Sequence, residues 1–523
     1  QHAAEGIVSV SDSVQRATIA NTVFKNLTFA GVDLYGVSGS VSKTGHVIRN
    51  NLFKDLGHYS ASASGSSLWG IGVLLYNSNY ATVRDNVMDN VRVGIQTGNF
   101  QTTNTGDAAY QVISGNTIAA RSRGIFYNLH NYSPWTIRDN TITGVANSDE
   151  SAVAVTAGST RGYWRGILVT SQGATSTSTV TNNDINGSAV TGMPTEGITV
   201  WNVKASAAPV ISGGTIRGVG TGIYLTNYEG YNSNAELGAY ATISNVAIRD
   251  ASTGIEVRDS TSSTSHANVV LTMGSGVNIT DGGTGLVVRN SAASVTNLND
   301  VVMTGQSGQY VQLVNNTSVI NGSGATLGGV AIAGASLNDL LAVEDKLYHA
   351  TDASGLGVVR VKAGNIYVTA NSASIQRGVD AASVGDVVNV GPGAYSENVV
   401  IAKRIELAGA GASNDGTRIS AADTSLPVVS ITGSGVDATQ ELSIHDIKMV
   451  GVSNSSASDG IAIQPASTAR NITIANVDIS NHGQAIHYRT GTLNQMTVRN
   501  VTLNGNNFGV RVASAVSGLD GLT

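Results

Sequence analysis

The chain has 523 residues with 62 glycines, 6 prolines and no cysteine, and 41% of its residues are hydrophobic. This hydrophobic content can fill a core and excludes a disordered chain, and the lack of cysteine excludes disulfides and thiolate metal sites. With 29 basic against 35 acidic residues, no basic run and no apolar stretch of roughly 20 residues, neither nucleic acid nor a membrane span is expected.

A glycine followed by isoleucine, leucine or valine opens an alternating apolar run many times along the chain. These phrases begin at Gly94, Gly124, Gly166, Gly197, Gly222, Gly254 and Gly285, and again at Gly460 and Gly509. The first seven are separated by 30, 42, 31, 25, 32 and 31 residues. Alternation indicates strands with one buried face, and a repeat of this length is typical of a solenoid. The sequence therefore predicts an all-β fold, a parallel β-helix whose stacked coils share one core.

An asparagine recurs at the turn after a strand in many repeats. It is found at Asn21, Asn50, Asn86, Asn116, Asn140, Asn183, Asn245, Asn476 and Asn500. Asparagine tolerates the left-handed turn conformation, and stacked amides can hydrogen bond along the solenoid axis. We therefore interpret these asparagines as structural residues.

Asp85 and Asp139 occupy matching turns two coils apart, and Gly115 occupies the turn between them. At about 4.8 Å per coil, their carboxylates would be roughly 10 Å apart, too far to share one calcium ion. They are the two candidate metal ligands, and calcium is the only cofactor that the sequence leaves open.

Aromatic side chains predict a contact surface. The isoleucine of each phrase points inward, so the next residue points outward. Stacked coils then predict an outward row of Phe126, Leu168, Thr199, Tyr224, Glu256 and Val287. A second row two positions later contains Trp201, which places Trp201 and Tyr224 on adjacent coils.

Exposed aromatic rings suit stacking on sugars or burial against another chain. The alternative is that the rings pack beneath long turn insertions. The candidate contact residues for a glycan or a protein partner are Phe126, Trp135, Trp164, Trp201, Tyr224, Tyr228 and Tyr231.

The repeat pattern ends near residue 335. Ser336, with Asp339 three positions later, begins a segment whose apolar spacing predicts an amphipathic helix that covers the end of the first core. We therefore predict a first β-helix module at 1–335, a capping helix and linker at 336–365, and a second β-helix module at 366–523. A second capping helix is predicted at about 374–384.

The string from Ser374 to Gly411 resembles the opening of right-handed β-helix proteins of the pectin-lyase-like superfamily. It contains Ile-Gln, Val-Asp-Ala-Ala, Gly-Asp, Pro-Gly-x-Tyr-x-Glu-Asn-Val and the closing Gly409-Ala410-Gly411. The resemblance implies a right-handed parallel β-helix with a capping helix before the first coil of a new module. That superfamily includes pectin esterases, polysaccharide lyases and non-enzymatic surface proteins, and the chain looks like a bacterial adhesin-type repeat protein of the last kind.

The strings that carry catalysis in that superfamily are absent from the sequence. Neither Gln-Asp-Thr-Leu-Tyr nor Asp-Phe-Ile-Phe-Gly of pectin esterases occurs, nor does Gly-His-Gly of polygalacturonases. The acidic residues that pectate lyases place around calcium are scattered here. His487 is isolated from the other histidines of the repeats, which indicates a surface or turn residue. We therefore expect no catalytic residue.

Both ends of the chain lack a predicted cap, because a coil phrase begins at Gly6 and a strand begins within the last residues. An uncapped end exposes a sheet edge that invites association. The sequence thus predicts a structural β-solenoid, extracellular or at a bacterial cell surface, that builds a filament, matrix or adhesin. Its partners would be other copies of itself, further modules of the same chain, or a polysaccharide.

Two other functions stay open. A polysaccharide-active lyase or hydrolase would be supported by a groove of clustered acids beside arginine or lysine. A glycan-binding β-helix without catalysis would be supported by an aromatic face that stays exposed.

Overall fold

The computed structural model describes residues 4–9, 16–35, 45–57, 69–76, 78–98, 110–127, 134–146, 163–172, 177–227, 238–260, 268–454 and 458–523. The chain divides into two compact units. Unit 1 comprises residues 1–318 and 324–329, and unit 2 comprises 319–323 and 330–523. No helix in the described part of the chain is long and apolar enough to cross a bilayer.

Each coil of unit 1 contributes short strands, and equivalent strands of successive coils pair in parallel to form three ladders. Ladder 1 consists of Thr18–Ala20, Val47–Arg49, Thr82–Arg84, Val112–Ser114, Thr136–Arg138, Thr179–Thr181, Val210–Ser212, Ala239–Ser244, Val269–Met273 and Ala293–Val295. Ladder 2 consists of Val23–Lys25, Leu52–Lys54, Val87–Gly98, Thr117–Tyr127, Thr141–Gly144, Asp184–Asn186, Thr215–Arg217, Ala247–Arg249, Asn278–Thr280, Val302–Thr304 and Thr326–Leu327. Ladder 3 consists of Glu5–Ser9, Ala30–Tyr35, Ile71–Tyr76, the continuations of Val87–Gly98 and Thr117–Tyr127, Trp164–Gln172, Thr195–Val203, Thr221–Thr226, Thr253–Arg258, Thr284–Arg289 and Val311–Val314.

Unit 2 has three parallel ladders in the same order along each coil. Ladder 1 consists of Asn365–Val368, Val387–Val390, Glu406–Gly409, Leu442–His445, Thr468–Ala475, Gly491–Arg499 and Val516–Leu522. Ladder 2 consists of Gly393–Ser396, Thr417–Ser420, Ile447–Val450, Asp478–Ser480 and Thr502–Asn504. Ladder 3 consists of Val399–Ile401, Val429–Ile431, Asp459–Ile463, Gln484–Tyr488 and Phe508–Val512.

The remaining elements are short. The strands Ile320–Asn321 and Val359–Arg360 pair in parallel. The others are the strands Val330–Ala331 and Leu347–Tyr348, the 3₁₀ helices Ala205–Ala207 and Ile332–Gly334, and the α-helices α1 (Leu337–Glu344) and α2 (Ile375–Ala381).

The glycine of each Gly-Ile phrase lies on ladder 3, where the backbone packs against a side chain of ladder 2. A Cβ atom at Gly197 would lie 2.4 Å from Cγ2 of Ile216, and one at Gly460 would lie 2.5 Å from Cγ2 of Ile479. The isoleucine that follows each glycine is buried in the core, as at Ile198. The phrase therefore recurs because the backbone approaches the next coil too closely for any side chain.

The recurrent asparagines occupy two different positions at the turn between ladders 1 and 2. Asn50 and Asn245 have positive φ values of 55° and 52°, the left-handed conformation that the sequence predicts. The axial hydrogen bonds belong to the next residue in the chain, so Asn51 rather than Asn50 begins the stack. This amide ladder consists of Asn51, Asn86, Asn116, Asn140 and Asn183.

The two predicted helices are present in unit 2. Ser336 caps α1, because its Oγ accepts from the Asp339 amide at 3.3 Å and Asp339 Oδ2 accepts from the Ser336 amide at 3.1 Å. In α2, Ile375 and Val379 are buried in the hydrophobic core of unit 2. The first residues of α2 also donate to Glu397, whose carboxylate accepts from the Ile375 amide at 2.8 Å. A carboxylate at this end is favourable because helix N-termini carry partial positive charge.

Candidate functional site

The outward rows predicted from the Gly-Ile phrases exist on ladder 3 of unit 1. Strand register pairs Phe126 with Leu168, Leu168 with Thr199, and Thr199 with Tyr224. In the second row, Trp201 pairs with Thr170 and Thr226. Trp201 and Tyr224 therefore lie on adjacent coils of one face, as predicted.

The prediction that these aromatic rings are exposed is wrong for Phe126 and Trp201, which are 8% and 6% exposed. A guanidinium group lies over each ring. The Cζ atom of Arg123 is 4.7 Å from the Phe126 ring centre, and that of Arg165 is 4.6 Å from the Trp201 ring centre. Stacked arginine covers an aromatic face and gains cation–π attraction. Both rings also belong to a cluster of buried hydrophobic side chains that includes Leu74, Tyr76 and Leu168.

Trp135 and Trp164 are also buried, at 1% and 0% exposure, so the prediction of an exposed contact role is wrong for them. The Trp135 ring packs 4.4 Å from the ring of Tyr127. Trp164 Nε1 donates to the carbonyl of Ala120 at 3.0 Å. Both rings fill space inside the unit. The remaining two candidates, Tyr228 and Tyr231, lie outside the described residues.

A buried ion pair supports this face. Arg165 Nε donates to Glu196 Oε2 at 2.6 Å, and the two side chains are only 3% and 7% exposed. Thr199 Oγ1 donates to the same carboxylate oxygen at 2.5 Å. Because Arg165 also stacks on Trp201, the pair fixes the position of the indole.

The neighbouring coils carry more accessible polar groups. Glu256 and Arg289 form a pair at 3.1 Å in which the arginine is 35% exposed, and the adjacent Arg258 is exposed. Tyr224 is half-buried between these coils. Burial raises the pKa of the Tyr224 hydroxyl to about 12, Arg258 opposes the rise, and Glu256 and Glu196 add to it. The hydroxyl therefore stays protonated at neutral pH.

These side chains together form one face, which we call the outer strip. It consists of Arg165, Glu196, Trp201, Tyr224, Glu256, Arg258 and Arg289.

The two candidate calcium ligands lie elsewhere, at the left-handed turns after ladder 1. Asp85 and Asp139 each have a φ of 56°. Each carboxylate pairs at 2.5 Å with the arginine that precedes it in sequence, Arg84 or Arg138. In the described ranges, no group of three or more histidine, aspartate or glutamate side chains is arranged to hold a metal ion. Calcium binding at these turns stays a prediction.

Comparison with known proteins bears on the fold. Residues 2–185 match the family model described as the right handed beta helix region. The chain is a right-handed parallel β-helix. The resemblance to the pectin-lyase-like superfamily is thus confirmed at the level of the fold.

Other comparisons add no argument about activity. One solved structure, described as a PL6 family alginate lyase, AlyGC, is 11% identical, with a TM-score of 0.25 over 95% of this β-helix and 77% of that chain. This score is too low to support an inference about function. No curated protein matches the sequence.

Sequence analysis missed the charged members of the outer strip. Arg165 and Glu196 stand directly before the glycine of their phrases, where other coils have Thr221 or Thr253. Register aligns Arg165 with Glu196 and Glu196 with Thr221. Opposite charges at the same position of two successive phrases were a signal that could have found the pair.

Unit 2 carries an acid at the equivalent position. Asp459 precedes Gly460 on ladder 3, and its side chain is fully buried. Its Oδ2 atom accepts from Arg489 Nε at 2.8 Å and lies 2.9 Å from His487 Nδ1. The interpretation of His487 as a surface or turn residue is wrong, because it lies on the strand Gln484–Tyr488 with 12% of its side chain exposed and contacts Asp459 of the adjacent coil.

Two buried titratable groups predict opposite pH effects in the two units. Burial, with a smaller contribution from Glu5, raises the pKa of Asp33 in unit 1 to about 7 from 3.8. Unit 1 therefore loses stability as pH rises from about 4 to about 7, because only the unfolded state releases the proton in that range. Burial lowers the pKa of His482 in unit 2 to about 4 from 6.5, and Asp459 opposes the shift. Unit 2 therefore loses stability as pH falls from about 6.5 to about 4.

Guanidinium unfolding across this pH range tests both signs. Tryptophan fluorescence reports unit 1, since all four tryptophans, Trp69, Trp135, Trp164 and Trp201, belong to it. Hydrogen exchange of peptides from 459–499 reports unit 2. Asp33→Asn should remove the first dependence and His482→Gln the second. The same sign in both units would contradict the prediction.

Proposed function

We propose that this chain is a rigid surface solenoid that binds a polysaccharide along the outer strip of unit 1. One observation carries the proposal. The strip places Tyr224 beside the Glu256–Arg289 pair and Arg258 on three adjacent coils of one face. A planar charged side chain can make two parallel hydrogen bonds to the hydroxyl or carboxylate groups of a sugar. A tyrosine ring can pack against the apolar face of the sugar ring.

The buried members of the strip support the accessible ones. The Arg165–Glu196 pair holds Trp201 in place one coil before Tyr224. Strands on ladder 3 position side chains more rigidly than loops do, so little ordering is needed on binding. Trp201 itself is covered, so the support for glycan binding comes from the more accessible side chains of Tyr224, Arg258 and Arg289.

The experiment is a binding titration of immobilised protein against soluble neutral and polyuronic polysaccharides. Arg258→Ser should weaken binding about tenfold, since a lost hydrogen bond from a charged group costs about 1.5–3 kcal/mol. The matched control is Arg249→Ser, which changes another exposed arginine of unit 1, on ladder 2. The proposal fails if no polysaccharide binds, or if the two variants weaken binding equally.

The wider role in a filament, matrix or adhesin, outside the cell, is part of this proposal. Its support is the stacked, cysteine-free solenoid, in which every coil pairs with its neighbours along parallel ladders. Electron microscopy of native material would show continuous rods if the chain assembles end to end with copies of itself or with further modules. Separate short rods would contradict assembly.

One observation favours a polysaccharide lyase or hydrolase as a second candidate. Glu196 and Glu256 each lie beside an arginine on the outer strip, which is one part of the arrangement that would support an enzyme. Each glutamate is paired with an arginine. The pair must separate before the glutamate carboxylate in it can accept a proton. New reducing ends, or unsaturated ends, formed from a bound polysaccharide would establish this activity.

A further inference from the structure

A small cavity in unit 2 has an apolar rim and a polar floor. Leu426 and Val452 are exposed at the rim, at 49% and 73%. Asp459 and His482 lie at the floor. Val450 and Ser458 also line the cavity.

The floor has polar atoms that the described part of the chain leaves without hydrogen-bond partners. His482 is 1% exposed, and both of its ring nitrogens lack a partner among the described residues. The same holds for Asp459 Oδ1. A buried polar group without a partner is destabilising, so this floor favours a polar occupant.

The charge of the floor is balanced. Arg489 Nε donates to Asp459 Oδ2 at 2.8 Å, and Arg489 Nη2 lies 2.7 Å from the same oxygen. The guanidinium group therefore neutralises the carboxylate from the Oδ2 side and leaves Oδ1 facing away from it. Burial lowers the pKa of His482 to about 4, so its imidazole is uncharged at neutral pH and offers one donor and one acceptor. Such a floor suits a hydroxyl group better than an ammonium, carboxylate or phosphate group.

The size of the cavity limits what can enter. Its enclosed volume is about 10 Å³, which is room for one water-sized group. Sites for drug-sized molecules run from about 300 to 1,000 Å³. One hydroxyl group therefore fits at the floor while a single ring rests on the rim.

We propose that this cavity binds a neutral sugar, with one hydroxyl group between Asp459 and His482 and the ring packed on Leu426 and Val452. A sugar ring has hydroxyl groups at its edge and an apolar face. The polar floor of the cavity matches the hydroxyl groups, and its apolar rim matches the face. The site is in unit 2 and does not depend on polysaccharide binding at the outer strip of unit 1.

Saturation-transfer NMR on the full chain tests the proposal, with methyl glycosides of glucose, galactose and mannose as probes and glucuronate and inorganic phosphate as charged comparators. We expect at least one neutral glycoside to bind at about millimolar concentration. Val452→Asp should weaken that binding about tenfold, because it places a charge on the apolar rim. The matched control, Val436→Asp, changes a valine of unit 2 that is 56% exposed and outside the cavity lining.

His482→Leu gives a second test at the floor, and its fold is checked by hydrogen exchange. It should abolish the part of the saturation signal that Val452→Asp weakens, while the outer strip keeps its polysaccharide binding. The proposal is overturned if no neutral glycoside binds, if charged comparators bind equally well, if Val436→Asp has the same effect as Val452→Asp, or if crystals soaked with the glycoside show only water in the cavity.

Discussion

Replacing Glu196 by glutamine lowers the free energy of unfolding of unit 1 by about 3 kcal/mol. The Arg165 side chain is 3% exposed and loses the negative charge with which it pairs at 2.6 Å. Breaking a buried pair by removing one partner typically costs about 3–5 kcal/mol, because the remaining charge stays in a poorly solvated position. We expect the lower end of that range, since an amide oxygen still accepts a hydrogen bond from the guanidinium group.

The matched control is Asp85→Asn, which removes the charge from an ion pair of similar length on the surface. Arg84 and Asp85 are 43% and 48% exposed, and asparagine tolerates the left-handed φ of 56° at this turn. Exposed pairs contribute about 0–1 kcal/mol, so this variant should be nearly as stable as the parent protein. Denaturant unfolding followed by tryptophan fluorescence measures both variants.

A third variant separates charge from packing at the same site. The double substitution Arg165→Met with Glu196→Leu removes both charges and should recover most of the stability that Glu196→Gln loses. Equal unfolding midpoints for Glu196→Gln and Asp85→Asn would contradict the assignment of Arg165 and Glu196 as a buried pair. Loss of polysaccharide binding in the double variant would follow from displacement of Trp201.

The fold was predictable because one local constraint repeats in every coil. A glycine such as Gly197, pressed against Ile216, is followed by a buried isoleucine, and this two-residue pattern is visible without knowing which coils pair. It was enough to predict the outward row of Phe126 and Tyr224. The helix caps at Ser336 and Ser374 are likewise local, since each depends on residues within one turn.

The candidate sites were less predictable because their contacts join coils separated by variable lengths of chain. Arg165 and Glu196 are 31 residues apart, whereas Asp459 and His487 are 28 apart. These separations depend on the length of the intervening turns, which follows no pattern in the sequence. The contact between Arg165 and Trp201 also joins two coils, so the sequence did not reveal it. Strand alternation predicts that the Trp201 side chain points outward, but it does not predict which side chain of the next coil covers it.

The amide ladder explains how one asparagine per coil can hold a stack of coils together. Asn116 Nδ2 donates to Asn140 Oδ1 at 2.9 Å and to the carbonyls of Val83 and Ser114 at 3.0 and 3.1 Å. Its own Oδ1 accepts from the Asn86 amide at 3.1 Å. Five coils are linked in this way, and every member is at most 4% exposed, so water cannot replace a lost bond.

Asn116→Ala should therefore destabilise unit 1 by about 4 kcal/mol, because several buried groups lose their partner at a cost of about 1–3 kcal/mol each. Asn245→Ala is the control. Asn245 is an exposed left-handed turn residue with a φ of 52°, and its replacement should cost only about 1 kcal/mol of backbone strain.

The double variant Asn86→Ala with Asn116→Ala distinguishes a coupled stack from a set of independent turns. The two side chains share a hydrogen bond of 3.0 Å, so removing both eliminates that bond once, and the loss of stability should be smaller than the sum of the single losses. Denaturant unfolding measures all three variants. Strict additivity would mean that each asparagine stabilises only its own turn, and the amide ladder would then contribute nothing to the cooperation between coils.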